Sequence, residues 1–415
     1  MSIIRDAFLA PRGQQKIDWV YESMGVLNEL EYLSKPAQIL NGKTIAMSIH
    51  MEAKTARLAL LLKALGAKVY ATGCNTLSTQ DDVAAALANH GVEVFAIHGV
   101  SEQEYRTHLQ KVLEPHPDLF IDDGGDLFST YCSLPENEKW PLLGGCEETT
   151  TGITRLKQYE KKHGSLPFPM INVNDADCKH LYDNVYGTGQ STVDAIMHTT
   201  NNVIASKTVV IAGYGYCGRG IAKRMRGMGA RVIVTEVNPV RAIEAKLEGF
   251  EVMTMIEAAP IGDFFVTATG CKDVIRSYHF PLMKSGAILC NSGHFDVEIN
   301  LKHLGTLSSD IYPCRDNITG YRLATSGKVI NVLAEGKLVN LAAGNGHPAE
   351  IMDTSFAIQT LSLLYLITNT DKLEPKLHSV PKFIDDTVAN LKLKAMGVTI
   401  DRLTPAQSEY LGLDD

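Results

Sequence analysis

The segment "VVIAGYGYCGRG", residues 209–220, constrains the fold of this chain more than any other. Its glycines Gly213, Gly215 and Gly218 form a G-x-G-x-x-G pattern between an apolar run and an amphipathic run. In a strand–turn–helix unit the first glycine permits a tight turn, the second lets the backbone approach a pyrophosphate, and the third allows close helix–strand packing. The segment therefore predicts a dinucleotide-binding unit in the middle of the 415-residue chain.

The next apolar run favours NAD over NADP as the dinucleotide. The run "ARVIVTE", residues 230–236, ends on Glu236. A carboxylate in this place binds the ribose diol and would repel a 2′-phosphate. Asn238 and Arg241 follow closely, within reach of the adenosine end of the cofactor.

Short apolar runs alternate with amphipathic runs on both sides of the glycine loop. The first series predicts buried strands and two helices that end in glycine, with strands at 43–49, 68–72, 93–97, 119–122 and 169–173 and helices at 53–66 and 79–91. The second series predicts strands at 208–213, 230–236, 263–269 and 287–292. This alternation predicts an α/β fold with two doubly wound, Rossmann-like parallel-sheet domains.

The segments after the second series set the predicted domain limits. Residues 328–341 are typical of a hairpin turning at Glu335–Gly336, 355–367 of an apolar helix that returns to the first domain, and 380–397 of an exposed helix. We therefore expect a substrate-binding domain at 1–185 and 346–375, an inserted NAD-binding domain at 186–345, and a C-terminal tail at 376–415 that contacts other subunits.

Composition excludes several classes of partner. The net charge of −8 leaves no basic surface for phosphates, so no nucleic-acid partner is expected. The eight cysteines include no C-x-x-C pair, which predicts reduced thiols and no metal site. The first residues lack the apolar core of a secretion signal, and Lys63 interrupts the longest apolar stretch. We therefore expect a cytoplasmic location and no membrane span.

Polar side chains cluster directly after the predicted strands of the first domain. They are His50, Glu52, Lys54, Cys74, Asn75, Thr79, Gln80, Asp122, Asp123, Asp126, Glu147, Glu148, Thr149, Thr150, Thr151, Asn174, Asp175, Lys179, Asp183 and Asn184. Parallel strands bring such groups into one crevice, where carboxylates, lysine and histidine perturb each other's pKa values as acid–base chemistry requires. Taken singly, each also fits a structural role, such as a helix cap or a surface ion pair.

Six segments closely resemble the S-adenosyl-L-homocysteine hydrolase family: "DDGGDL", "EETTTG", "INVND", "AGYGYCGRG", "GHFDVEI" and "LVNLAAGNGHP". The resemblance runs from about residue 40 to the last helix. It implies one tightly bound NAD⁺ per subunit, which oxidises the ribose 3′-hydroxyl to a ketone, acidifies C4′–H and so allows homocysteine to leave. Water then adds and the hydride returns, so the net reaction is a reversible hydrolysis of S-adenosyl- or S-inosyl-L-homocysteine to L-homocysteine and adenosine or inosine.

The resemblance also implies roles for individual residues. Lys179 and Asp183 would deprotonate the 3′-hydroxyl, with Lys179 acting as a base if burial lowers its pKa. Asp123 and Glu148 would serve the C4′ proton and the sugar hydroxyls. The leaving group would meet His50 and His294, and Asn174 would position the lysine.

The remaining implied contacts divide between the cofactor and the substrate. The cofactor would be held by Thr149, Thr150, Thr151, Asn184, Gly213, Gly215, Tyr216, Cys217, Gly218, Glu236, Asn238, Arg241, Thr269, Ser292, Gly293, Asn340 and His347. The substrate would contact Glu52, Lys54, Gln80, His347, Met352 and Phe356. His347 fits an active-site loop and an interdomain hinge equally well.

One departure from the family pattern bears on the substrate base. Many members read H-M-T-x-E or H-M-T-x-Q where this chain has His50-Met51-Glu52-Ala53-Lys54. A lysine only donates, so Lys54 cannot accept from the 6-amino group of adenine but can donate to the 6-keto oxygen of hypoxanthine. A donor–donor clash would cost about 1–3 kcal/mol. An inosyl preference and ordinary adenosyl activity both stay open, because Lys54 could instead pair with Glu52 or turn to solvent.

A second departure is the C-terminal end, "SEYLGLDD". Typical members extend further, with a Lys- and Tyr-containing tail that reaches a neighbouring subunit's NAD, so weaker cofactor retention is expected here. A homotetramer is expected on family grounds. Two other functions remain alternatives: an NAD-dependent dehydrogenase of a hydroxy or amino acid, and a non-catalytic regulatory relative.

Overall fold

Two β-sheets organise the chain in the computed structural model, which describes residues 2–413. The first sheet has seven parallel strands: β1 (Thr44–Ser48), β2 (Lys68–Thr72), β3 (Glu93–Phe95), β4 (Leu119–Asp122), β5 (Gly144–Glu147), β6 (Met170–Asn172) and β15 (Leu377–Ser379). Their order across the sheet is β15-β6-β5-β4-β1-β2-β3. Strands β4, β5 and β6 are buried along their whole length, as expected where helices cover both faces of a parallel sheet.

The second sheet is parallel except at one edge. Its strands are β7 (Thr208–Ala212), β8 (Arg231–Thr235), β9 (Glu251–Val252), β10 (Phe264–Thr267), β11 (Ala287–Asn291), β12 (Ser308–Arg315), β13 (Ile318–Leu323) and β14 (Val329–Leu333). They lie in the order β12-β13-β14-β11-β10-β7-β8-β9, and only the β12–β13 and β13–β14 pairs are antiparallel. The two doubly wound sheets confirm the predicted α/β class, whereas the antiparallel edge was not predicted.

Helices connect and cover the strands. The first lobe contains α1 (Ala10–Ser23), α2 (Gly25–Ser34), α3 (Ala53–Ala64), α4 (Asp81–Asn89), α5 (Glu102–Leu113), α6 (Asp126–Cys132), α7 (Thr150–His163) and α8 (Asp177–Lys179). The second contains α9 (Thr188–Thr200), α10 (Tyr216–Gly227), α11 (Pro239–Leu247), α12 (Met255–Ala258), α13 (Leu301–Leu307) and α14 (Val339–Ala342). The chain continues with α15 (Ala349–Thr368), α16 (Lys382–Ala395) and α17 (Pro405–Leu411). A π-helix, His180–Gly187, leads from the first lobe to the second.

The hairpin predicted at 328–341 is wrong. The turn is present, since Glu335 and Gly336 both have positive φ, but the chain then enters α14 and forms no second strand. The antiparallel partner of β14 is β13, which precedes it. Asn340 on α14 is buried and donates to Ser191 on α9. Packing against α9 therefore favours a helical turn here over the second strand that the sequence pattern predicted.

The segment predicted as a tail from residue 376 belongs in its first part to the first lobe. Strand β15 pairs with β6, and Ile384 and Val388 of α16 enter the core that α15 also forms. The predicted limit at 376 therefore needs correction. The segment was predicted to be exposed because its sequence is mainly polar, but one face of α16 carries two buried apolar residues, Ile384 and Val388.

Helix α15 is long and apolar enough to cross a membrane by length and composition alone. In this fold 67% of its most apolar window is buried inside the protein. Phe356, Ile358 and Leu363 lie in the first core, as expected for the central helix of an α/β lobe. The apolar helix predicted at 355–367 is thus confirmed and returns to the first lobe.

Candidate active site

A cavity of about 1190 Å³ lies between the two lobes, at the carboxyl ends of both sheets. It borders the points where strand order reverses, between β4 and β1 in the first sheet and between β10 and β7 in the second. Ligands of open α/β sheets bind at such points. The volume exceeds the usual 300–1,000 Å³ of a pocket for one small ligand, so the cavity has room for a dinucleotide and a substrate.

The glycine loop forms the second-lobe wall of this cavity. A Cβ on Gly218 would overlap the carbonyl oxygen of Gly213, and a Cβ on Gly215 would lie 2.7 Å from a guanidinium nitrogen of Arg241. Gly213 has φ +94°, which side chains rarely adopt. Helix α10 begins directly after Gly215, so its free N–H groups point towards the position of a pyrophosphate. The loop therefore fits NAD.

Glu236 lies where the ribose of the cofactor is expected. Its carboxylate lines the cavity and accepts from the backbone N–H groups of Tyr214 at 2.7 Å and Asn238 at 2.9 Å. Burial raises its pKa, but the backbone N–H groups outweigh burial and the pKa is lowered overall. The side chain is therefore held as an oriented anion, as a contact to ribose hydroxyls requires.

Most residues predicted to hold the cofactor line the cavity. They are Thr149, Thr150, Thr151, Asn184, Gly213, Gly215, Tyr216, Cys217, Glu236, Asn238, Arg241, Thr269, Ser292, Gly293, Asn340 and His347. Gly218 does not line it and instead lies beneath the turn, as the third glycine of the motif does.

A buried charge cluster, formed by Lys179, Asp183 and Glu148, lines the cavity. The Lys179 ammonium lies 2.9 Å from Asp183, 3.5 Å from Glu148 and 3.0 Å from the amide oxygen of Asn184. Asp183 and Asn184 follow Lys179 by four and five residues. The wider turn of the π-helix lets the Lys179 side chain reach both of them. All four are buried, which excludes a solvated surface pair.

The charges in this cluster set its protonation states. Burial favours a lower pKa for Lys179, but Asp183 and Glu148 outweigh burial and the pKa is raised. Burial favours a higher pKa for Asp183, but His347 and Lys179 outweigh burial and the pKa is lowered. The lysine is thus an ammonium, and the lowered pKa on which a role as a base depended does not occur.

Glu148 differs from Asp183 in its titration. Burial raises the pKa of Glu148 to about 7, with Lys179 opposing the shift and Asp183 adding to it. Gln359 on α15 donates to its other oxygen at 2.6 Å. Glu148 is therefore a carboxyl that exchanges a proton near neutral pH, as a general acid or base does.

Asp123 lies between two histidines, one from each lobe. One carboxylate oxygen is 3.5 Å from Nε2 of His50 and the other is 3.7 Å from Nδ1 of His294. Burial lowers the pKa of His50 to about 4, so its imidazole is neutral. The three side chains line the cavity and bring together the ends of β1, β4 and β11.

The predicted substrate residues divide into two groups. Glu52, His347, Met352 and Phe356 line the cavity. Lys54 is buried in the wall behind, where its ammonium lies 2.7 Å from Glu52 and donates to the carbonyl oxygen of Asn345 at 2.8 Å. Gln80 is not brought to the cavity, because its side-chain oxygen accepts from Lys16 on α1.

Two of the remaining predicted residues hold the site together. His347 contacts Asp183 through Nδ1 and Thr188 through Nε2, so it joins the connection between the lobes to the charge cluster. Asn174 lies beside the cofactor residues, where its side-chain oxygen accepts from Thr150 and Asn184. It reaches Lys179 only through Asn184.

The sequence reasoning missed several supporting residues. Gln359 is an amide residue within the otherwise mainly apolar run of α15, and this position in the sequence could have indicated a buried hydrogen-bonding role. Asp385 of α16 accepts from the backbone N–H groups of Asp177 and Cys178 and so fixes the start of the helix that carries Lys179. Only the fold brings Asp385 close, because it lies 206 positions after Lys179 in the chain.

The fold and this site define a dinucleotide-dependent enzyme whose acid–base cleft lies between two doubly wound lobes. Residues 184–346 match the family model for the NAD binding domain of S-adenosyl-L-homocysteine hydrolase, and residues 2–141 match the model for S-adenosyl-L-homocysteine hydrolase. The chain therefore belongs to the S-adenosyl-L-homocysteine hydrolase family, and NAD is its cofactor.

Relatives match the chain over nearly its whole length. The S-inosyl-L-homocysteine hydrolase of Methanocaldococcus jannaschii is 53% identical over 98% of both chains. That of Methanococcus maripaludis is 52% identical, over 99% of this chain and 98% of the relative. The adenosylhomocysteinase of Gloeothece citriformis is also 52% identical, over 98% of this chain and 95% of the relative. Overall identity therefore does not separate the two substrate classes.

Proposed function

We propose that this chain catalyses the reversible, NAD-dependent hydrolysis of a nucleosyl-homocysteine thioether. The observation that carries the proposal is the buried charge cluster, which faces the Asp123–histidine group in the cavity that the glycine loop enters. A simple dehydrogenase needs acid–base help at one carbon, whereas two adjacent groups suit a reaction with several proton transfers. The names of the relatives support the same reaction class.

Lys179 would hold the 3′-oxygen of the substrate. When bound, NAD⁺ supplies the acceptor for the hydride of C3′. The Lys179 ammonium donates to the 3′-oxygen and stabilises negative charge there, while Asp183 and Asn184 fix its position. Glu148, with a pKa of about 7, is the carboxyl best matched to accept and return protons at the sugar.

Asp123, His50 and His294 would serve the 5′ end of the sugar. Asp123 lies near enough to both rings to orient a water or a departing thiol between them. Neutral His50 offers one N–H and one lone pair, so it can hold water in place for addition. This side of the cavity is distinct from the charge cluster, as oxidation at C3′ and elimination at C5′ require.

We infer further that the base of the preferred substrate is hypoxanthine. Lys54 lies behind Glu52 and directs two of its three N–H groups to Glu52 and Asn345, so a 6-keto oxygen would have to enter beside Glu52 to accept from the third. Glu52 lines the cavity and can accept the N1–H of hypoxanthine. Adenine would need the two contacts exchanged, with Glu52 at its 6-amino group and Lys54 at N1, and the relatives named S-inosyl-L-homocysteine hydrolase support the first arrangement.

The test is a side-by-side turnover assay with S-inosyl- and S-adenosyl-L-homocysteine, following free thiol. We expect thiol release with no net accumulation of NADH, and a higher kcat/KM for the inosyl substrate. Accumulation of NADH in step with substrate consumption would instead indicate a dehydrogenase. Release of no thiol from either substrate would leave the non-catalytic alternative.

Lys54→Glu tests the inference about the base. The substitution replaces a donor with an acceptor, so the kcat/KM ratio of inosyl to adenosyl substrate should fall by about 10-fold or more, equivalent to a lost or gained hydrogen bond of roughly 1–3 kcal/mol. Lys63→Glu on the same helix is the control, since Lys63 lies at the surface away from the cavity. An unchanged ratio in Lys54→Glu would show that Lys54 does not read the base.

We also propose that the chain assembles as a homotetramer in the cytoplasm. Helix α11 exposes Val240, Ile243 and Leu247, a row of apolar side chains that subunit contacts would cover. Size-exclusion chromatography with light scattering would test the assembly.

A further inference from the structure

A group of three metal-ligating side chains lies in the first lobe beside the cavity. His50, Cys74 and Asp123 follow three adjacent strands, β1, β2 and β4, and all three are buried. Their ligand atoms lie within 4.8 Å of one another. The acid–base chemistry proposed above uses His50 and Asp123 but gives the Cys74 thiol no part.

Two of the three distances between ligand atoms match a tetrahedral metal site. Nε2 of His50 and Sγ of Cys74 lie 3.5 Å and 3.6 Å from the same oxygen of Asp123. Zinc bonds of about 2.3 Å to sulfur and about 2.0 Å to nitrogen and oxygen place the ligand atoms of a tetrahedron about 3.3 to 3.6 Å apart. The nitrogen–oxygen and sulfur–oxygen edges are therefore already near the required length.

Ser78 prepares the histidine for such a site. Its hydroxyl lies 2.7 Å from Nδ1 of His50 and also donates to the carbonyl oxygen of Asn75. A hydroxyl that donates elsewhere accepts from Nδ1–H, which leaves the Nε2 lone pair facing Asp123 and Cys74. A hydrogen bond to the second ring nitrogen is how proteins fix a histidine for metal binding.

We propose that His50, Cys74 and Asp123 form a binding site for a thiophilic divalent cation of the Zn²⁺ class. The fourth position opens to the cavity, because His50 and Asp123 both line it. Thiolate, imidazole and carboxylate together are a donor set that zinc accepts. Binding displaces the thiol proton to solvent, and no other bond forms or breaks.

The metal would act as a reversible inhibitor. It would hold the two side chains that the proposed reaction needs free at the 5′ end of the substrate. This consequence rests on the proposed function, whereas binding itself does not.

The experiment titrates Co²⁺ into the NAD-loaded protein and records the thiolate-to-cobalt charge-transfer absorption. We expect one Co²⁺ per subunit to produce the band and Zn²⁺ to displace it. Cys74→Ser should lose the band, since serine keeps a donor to Asp123 but not the sulfur ligand. Cys314→Ser is the matched control and should keep it, because Cys314 is exposed on β12.

A second variant tests the site with all three ligands in place. Ser78→Ala removes the hydrogen bond to Nδ1 and should weaken Zn²⁺ binding by about 10- to 100-fold. No band in the unsubstituted protein, or an equal band in Cys74→Ser, would overturn the site. Turnover of each protein with bound metal is compared with the turnover of the same protein without metal. A charge-transfer band with no loss of turnover would support the metal site and count against the roles proposed for His50 and Asp123.

Discussion

At the residue scale, burial and neighbouring charges give chemically similar side chains different protonation states. Glu148 and Asp183 both lie within 3.5 Å of the Lys179 ammonium, yet the pKa of Glu148 is raised to about 7 and that of Asp183 is lowered. The pKa values differ because Asp183 has His347 as a second partner besides Lys179, whereas the second partner of Glu148 is the neutral side-chain amide of Gln359, which donates a hydrogen bond to it. Carboxyls whose pKa values are pushed apart are suited to separate roles.

Lys179→Ala should reduce turnover by at least about 10²-fold, since it removes the positive charge expected to stabilise the 3′-oxygen. NAD should remain bound, because the ion pairs and hydrogen bond of Lys179 are to Glu148, Asp183 and Asn184 rather than to the glycine loop. The measurements are thiol release and the NAD content of the purified protein. Turnover close to that of the unsubstituted protein would remove the role assigned to this lysine.

Glu148→Gln should change how stability depends on pH. Between pH about 5 and about 7 the unfolded carboxyl is ionised while the folded one keeps its proton, so the free energy of unfolding falls as pH rises through this window. Glutamine does not titrate and lacks this fall. Relative to the unsubstituted protein, the variant should gain on the order of 3 kcal/mol from pH 5 to pH 8.

The variant must be compared with the unsubstituted protein because His50 changes the free energy of unfolding with pH in the direction opposite to Glu148. Its lowered pKa of about 4 makes stability rise with pH up to the ordinary histidine pKa in both proteins. Urea unfolding across the range measures the difference, with the exposed Glu138→Gln as control. A constant difference between Glu148→Gln and the unsubstituted protein would show that Glu148 does not titrate near neutrality.

At the element scale, the βαβ unit around the glycine loop is set by close backbone approach. Helix α10 can begin beside β7 only because Gly218 lies against the carbonyl oxygen of Gly213. This contact was predictable from the sequence, since the spacing of the glycines specifies it. The π-helix was not predictable, because the order of polar and apolar residues over 180–187 is equally compatible with an ordinary α-helix.

Gly218→Ala should weaken NAD binding by about 10-fold or more, because the new Cβ overlaps backbone atoms that cannot move without opening the loop. Gly227→Ala, at the end of the same helix, is the control. A Cβ there meets no atom within 4 Å, so alanine should be neutral or slightly stabilising. Calorimetric titration of NAD into protein freed of cofactor measures both, and equal affinities would contradict the assigned packing.

At the scale of the whole molecule, the C-terminal region stabilises the first lobe. Asp353 on α15 accepts from the N–H groups of Val26 and Leu27 at the start of α2. Lys392 on α16 lies 3.1 Å from the same carboxylate, which is fully buried. Three helices from opposite ends of the chain therefore meet at one ion pair.

Lys392→Met should lower the free energy of unfolding of the first lobe by roughly 3 kcal/mol, because it leaves a buried carboxylate without its cation. Lys394→Met is the matched control, since Lys394 pairs with Glu29 at the surface and should contribute less than about 1 kcal/mol. Denaturant unfolding measures both variants. Equal midpoints would show that α16 does not depend on this ion pair.

The sequence by itself determined the fold class, the cofactor loop and about half of the residues that line the cavity. It could do so because strand alternation, glycine spacing and polar residues at strand ends are local patterns, and because the family resemblance implied further contacts such as Asn340, His347 and Phe356. Only the tertiary structure decided that Lys179 is an ammonium, that Lys54 pairs with Glu52 and Asn345, that Gln80 is directed away, and that residues 376–395 complete the first lobe. Each of these depends on which charges and amides lie within a few ångströms across long stretches of chain, and local sequence carries no record of those distances.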